Sequence, residues 1–129
     1  MDVILDANVI VRYLVGDEKS HQKQAIVWFK EAEQEKLHIV VKTMVVAETL
    51  FVLDSFYKLD KNEVSSALRT FLSQQWFDVE DREGLILALD FYTQGIHFVD
   101  CFVMAMAGIT HSELLSFDKD LLKRVKQKF

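Results

Sequence analysis

Four short apolar runs, "VIL" at 3–5, "LHIVV" at 37–41, "WFDVE" at 76–80 and "ELLSF" at 113–117, are separated by longer segments of helical period. Short buried strands alternating with helices are the mark of a parallel α/β sheet, because each parallel strand is reached through a crossover that is usually a helix. The four runs are therefore expected as strands of one sheet. Proline is absent and glycine stands only at 16, 84, 95 and 108, so nothing reads as a linker or a repeat. A chain of 129 residues, 50% of them hydrophobic, is expected to form one domain over residues 1–129 around one core.

Helical phase supports the intervening segments. Val64, Ala67, Leu68, Phe71 and Leu72 fall at i, i+3, i+4, i+7 and i+8, and Ala25, Trp28, Phe29 and Ala32 repeat the stripe. By contrast "TMVVAETLFVL" (43–53) and "VDCFVMAMAGI" (99–109) are apolar nearly all round and are expected as central helices covered on most sides. No apolar run approaches the length of a membrane span, and the chain opens on Met1-Asp2 rather than on a basic leader, so a soluble, cytoplasmic protein is expected. The lone Cys101 has no partner at metal-ligand spacing and reads as a small buried side chain.

Net charge is −5, but unevenly spread: "KDLLKRVKQKF" at the C-terminus carries +4, leaving −9 on residues 1–118. A polyanion would meet the basic terminal helix, although cations near a helix C-terminus also suit its dipole without any ligand. Nucleic acid would need the remaining acids to be screened by counter-cations.

Several of those acids sit where a core is expected: Asp6, Glu48, Asp54, Asp90, Asp100 and Asp118. An ionised carboxylate in apolar surroundings is costly unless something compensates it. Phase removes two of them, since Asp90 shares a polar stripe with Glu83 and Gln94, and Asp54 has Lys58 as an i+4 partner. Glu48 lies mid-helix among Val45, Leu50, Phe51 and Val52, and Asp100 has no ionisable neighbour before His111, so both are expected to face inward. Asp6, Asp100 and Asp118 also stand where helices should begin, where Asp is a favoured N-cap, so each taken singly has an ordinary structural explanation. Glu48 has none. As a set, Asp6, Asp100 and Asp118 belong at the C-terminal edge of the strands, the ligand crevice of an open parallel sheet. Four carboxylates sharing one pocket would repel unless divalent cations held them ionised, and oxygen-only donors favour Mg²⁺ or Mn²⁺ over zinc. Such cations suit phosphoester hydrolysis. No Gly-rich phosphate loop and no "GxSxG" competes.

"LDANVIVRYL" at the N-terminus, "VAETLFVL" around Glu48, "HFVDCFVMAMA" around Asp100 and "LLSFDKDL" around Asp118 together resemble PIN-domain ribonucleases, above all VapC-type toxins of toxin–antitoxin pairs. The resemblance covers essentially the whole chain. It implies a parallel sheet of four to five strands flanked by about seven helices, dependence on Mg²⁺ or Mn²⁺, and endonucleolytic cleavage of tRNA or ribosomal RNA. It makes Asp6 and Asp100 the main metal ligands, with Glu48 and Asp118 completing the catalytic acids, and gives Asn8 and Ser116 supporting roles. It implies a homodimer held by a cognate antitoxin, whose C-terminal segment would lie in an apolar groove and place a basic side chain in the acidic site. Trp28, Phe29, Phe51 and Phe56 are candidates for that groove, or ordinary core. Where many relatives carry an acid, this chain has His97, either a substrate contact or an exposed loop residue. Asp120 fits the family's pattern, or merely favours a helix N-terminus.

Other readings are a PIN-fold RNA-processing enzyme outside any toxin–antitoxin pair, a non-catalytic PIN scaffold, and a phospho-acceptor α/β domain. The last would want adjacent acids after the first strand, whereas Ala7 and Asn8 follow Asp6.

Overall fold

The computed structural model describes residues 2–129. They form two compact units, Met1–Asp81 and Arg82–Phe129. In the first, β1 (Asp2–Ile4), β2 (His38–Val41) and β3 (Phe77–Val79) make a parallel sheet in the order β1-β2-β3. Helices α1 (Ala7–Val15) and α2 (Lys19–Glu33) connect β1 to β2, and α3 (Thr43–Phe51), a π-helical turn (Val52–Phe56) and α4 (Lys61–Leu72) connect β2 to β3. The second unit is helical, with α5 (Arg82–Tyr92), α6 (Phe98–Ile109) and α7 (Lys119–Lys128). Among the described residues no helix is long and apolar enough to cross a membrane.

The parallel sheet and, among the described residues, seven α-helices agree with the reading of the sequence, but there the sheet has three strands rather than four to five. Residues 113–117 pair with no strand, and Leu115 (86%) and Phe117 (106%) stand fully open to solvent. The segment makes a local bond instead: the Asp118 N–H donates to Ser116 Oγ at 2.9 Å. A side chain that satisfies a nearby backbone group competes with ladder formation, and a short apolar run cannot supply the missing partner strand.

Phe29 of α2, Phe71 of α4 and Phe77 of β3 interlock in the first unit. Phe71 stacks on Phe77 at 4.6 Å, and Phe29 meets Phe77 edge-on at 5.1 Å. Each such pair adds about 0.5–1.5 kcal/mol beyond its area burial. Phe29 is thus core, not groove, while Trp28, Phe51 and Phe56 remain exposed. In the second unit Cys101 is fully buried, as expected, and the Phe129 ring lies against Gly108, where a side chain would occupy the ring's space. Only a glycine there lets the C-terminal residue close onto α6.

Of the two all-apolar helices, α6 is covered on most sides as expected, burying Phe98, Cys101, Met104, Ala105 and Ala107 and exposing Val99, whereas α3 buries Val46, Thr49 and Leu50 but exposes Met44, Glu48 and Phe51. Helical geometry stops at Phe56 and Lys58 turns to φ 54°. Lys61, at the start of α4, pairs with Asp54 at 3.2 Å.

At the opposite end of the strands from α1 and α3, His38 bridges the sheet. Its Nδ1 lies 2.6 Å from Asp2 Oδ1 and its Nε2 3.2 Å from Asp78 Oδ2. The hydrogen bond and charge of Asp2 hold the imidazole above its ordinary 6.5, and the same contact holds Asp2 below its ordinary 3.8. The protonated imidazole therefore stabilises the fold in full below 6.5, and that contribution fades as pH rises through the folded value. The melting temperature of the native chain minus that of His38→Gln should be positive near about pH 6 and shrink toward zero by about pH 9; a difference that does not change with pH would contradict the bridge.

Candidate active site

β1 runs straight into α1 with almost no connection. Leu5 N–H donates to Val40 O at 3.0 Å, Asp6 follows in extended geometry (φ −88°, ψ 152°), and Ala7 begins the helix. Asp6 thus occupies the N-cap position but makes no side-chain capping bond. The ordinary explanation for an Asp at this point is not the one its side chain uses.

β2 launches α3 in parallel fashion. The N-cap, Lys42, offers α3 no side-chain cap, and Glu80 supplies one from beyond β3: its Oε1 accepts from Thr43 N at 3.0 Å, with Lys42 Nζ 3.5 Å from Oε2. Those hydrogen bonds from Thr43, its backbone N–H foremost, hold the Glu80 carboxyl below its ordinary 4.5. With its start pinned to the sheet, α3 carries Glu48 to a cavity of about 290 Å³ lined by Asp6, Asn8, Arg12, Glu48, Phe56 and Tyr57, among others. The π-helical turn contributes here, because widening the helix at Val52–Phe56 brings Val52, Phe56 and Tyr57 onto the same wall. Glu48 is exposed at this wall, not directed inward as expected.

Asp6, Asn8 and Glu48 are therefore brought together in the first unit. Neither acidic side chain enters a hydrogen bond or ion pair among the described residues. Asp100, Ser116 and Asp118 lie in the second unit. Asp100 sits half-buried in the first turn of α6, inside the helix rather than at its cap, which is His97. Asp118 is a true N-cap: its Oδ1 accepts from Leu121 N at 3.0 Å, while Ser116 Oγ holds its own N–H. His97 is exposed and caps nothing through its side chain, and Asp120 is exposed in the first turn of α7. Within neither unit, among the described residues, do three or more carboxylate, imidazole or thiol groups gather as one metal-binding cluster. The donor set in the first unit is two uncommitted carboxylates and an amide, all hard oxygen donors suited to Mg²⁺ or Mn²⁺.

The sequence reading missed Arg12, which lies one turn along α1 from Asn8 and lines the same cavity. Its Nη1 donates to both Asp17 oxygens at 3.1 Å and to Tyr57 Oη at 3.2 Å, and Tyr57 Oη donates to Asp17 Oδ2 at 2.8 Å. The signal was present: Arg12 is the single cation within "VILDANVIVRYLV". The Tyr57 hydrogen bond, then that of Arg12, holds Asp17 below its ordinary 3.8, and Asp17 in return pushes the Tyr57 phenol up.

The family model for the PIN domain matches residues 3–128, a span that runs through both units. The chain belongs to the PIN domain family. It is also 27% identical over 125 residues, 93% of this chain and 90% of the relative, to a VapC ribonuclease of Aquifex aeolicus (strain VF5). No solved structure gives a significant match.

Tyr57→Phe removes the largest influence on Asp17. The Asp17 carboxyl, followed by NMR titration, should move up toward 3.8. An unchanged titration would contradict the bond.

Proposed function

We propose that this PIN-domain chain is a divalent-metal-dependent endoribonuclease of the VapC type, a toxin that hydrolyses phosphodiester bonds of tRNA or ribosomal RNA. The observation that carries this reading is the placement in one cavity of two carboxylates with no internal partner, Asp6 just after the C-terminal end of β1 and Glu48 on the helix that follows the neighbouring parallel strand β2. Uncommitted like charges in one cavity are a standing cost unless a cation joins them. The similarity to a VapC ribonuclease over nearly the whole chain supports the same reading.

Asp6 and Glu48 would hold Mg²⁺ or Mn²⁺, with Asn8 orienting the group and Asp100 and Asp118 as the remaining acids of the site. When bound, the cation supplies Lewis acidity and neutralises charge on the scissile phosphate. Asn8 offers an amide donor to a phosphate oxygen. Ser116 positions Asp118 through its backbone N–H.

A cognate antitoxin would restrain the enzyme by presenting apolar side chains to Phe51 and Phe56, which are 68% and 76% exposed, and a basic side chain to the acids beside them. The active form is proposed as a cytoplasmic homodimer.

Asp6→Asn or Glu48→Gln should lower the rate of RNA cleavage about a hundredfold or more while leaving the thermal melt almost unchanged. Chelator should abolish cleavage by the native chain, and added Mg²⁺ or Mn²⁺ should restore it. Undiminished cleavage by both folded variants would refute the proposal.

A further inference from the structure

Arg12 and Asn8 belong to two cavities at once. One is the acid-lined cavity, and the other, about 300 Å³, is lined by Asn8, Val9 and Arg12 of α1 and by His21, Gln24 and Trp28 of α2. His21, Gln24 and Trp28 stand at i, i+3 and i+7, so they form one face of α2. The two helices are locked at a fixed angle. Gly16 ends α1 at φ 70°, which suits glycine, and a side chain there would collide with Gln22, whose Nε2 donates to Tyr13 O at 3.1 Å.

The second cavity has the chemistry of a nucleotide site. No carboxylate lines it. Asp17 and Glu18, which follow α1, are occupied, Asp17 by Tyr57 and Arg12, and Glu18 by the N–H and hydroxyl of Ser20, and the uncommitted Asp6 belongs to the adjoining acid-lined cavity. All of Arg12's hydrogen bonds leave from Nη1, so Nε and Nη2 keep their donors for a phosphate while Asp17 and Tyr57 hold the guanidinium still. Trp28 is 39% exposed and presents an indole on which a base can stack, and Gln24 offers an amide for a base edge.

We infer that this cavity is a subsite for one nucleotide of single-stranded RNA, adjoining the acid-lined cavity: the base stacks on Trp28, and the phosphate between the two cavities is held by Arg12. The inference rests on the nuclease reading, and it gives that reading a substrate geometry, with the chain of nucleotides passing from the α1–α2 groove over Asn8 and Arg12 to Asp6 and Glu48.

The test is a titration of the full-length protein with 5′-AMP, followed at the Nε1–H signals of Trp28 and Trp76, with inorganic phosphate as control. AMP should shift the Trp28 signal saturably and leave Trp76 in place, and phosphate should shift Trp28 far less. Trp28→Ala should raise KM for a short RNA about tenfold with little change in kcat, and Trp28→Phe, which keeps an aromatic face, should recover most of the loss. No response of Trp28 to AMP, an unaltered KM in Trp28→Ala, or a loss confined to kcat would overturn the subsite. So would a Trp28 signal that moves with protein concentration alone, since a second copy of the chain would then fill the groove. Cleavage without a Trp28 response removes the subsite and leaves the nuclease reading standing; a Trp28 response in a chain that cleaves no RNA supports the subsite and removes the nuclease reading.

Discussion

The parallel pairing of β1 with β2 determines where the first unit presents its chemistry. The register sets Asp2 against His38, Val3 against Ile39 and Ile4 against Val40, and Leu5 adds one more bond to Val40 before the chain leaves the sheet. Two helices then start side by side from neighbouring strand ends, α1 after Asp6 and α3 after Lys42. Glu80 ties the second of these to β3, through its backbone N–H on Val41 O at 2.9 Å and its carboxylate on Thr43. A slip of one residue in the β1–β2 register would reverse every side chain of β1 between the faces of the sheet and move Asp6 away from the wall that carries Glu48.

The three strands that form were legible because each is a short apolar run bounded by helical period, and the buried faces of α2 and α4 were legible from phase. The fourth run failed for a physical reason: a short apolar run such as "ELLSF" suits a strand, but a strand exists only when a neighbour completes its hydrogen bonds, and Ser116 offers the backbone a local alternative. Helix α3, read as apolar all round, proved one-sided, because composition counts apolar residues without regard to whether anything covers them; Met44 and Phe51 are open. The same error assigned Glu48 to the interior. The π-helical turn was not readable at all, since it depends on a register change of backbone bonds, seen in Tyr57 N–H donating to Val52 O, that no residue type announces.

For the candidate site, the identity of the acids was legible and their circumstances were not. Asp6 carried two explanations, cap or ligand, and the backbone geometry separates them: it has the cap position without the cap bond, whereas Asp118 has both. Arg12 was legible only as a lone cation in an apolar stretch. Its partners, Asp17 and Tyr57, lie 5 and 45 residues away, and only the fold brings the distant one back. The result is two carboxylates and a fixed guanidinium lining one cavity, with Arg12 shared with the α1–α2 groove beside it.

The central claim is that Asp6 and Glu48 together hold a divalent cation. Paramagnetic broadening by Mn²⁺ tests it most directly, without reference to any RNA. Substoichiometric Mn²⁺ should selectively erase the backbone amide signals around Asp6–Asn8 and around Glu48, and Glu48→Gln should weaken the effect at both places together. Broadening centred elsewhere, or at neither segment, would contradict the account.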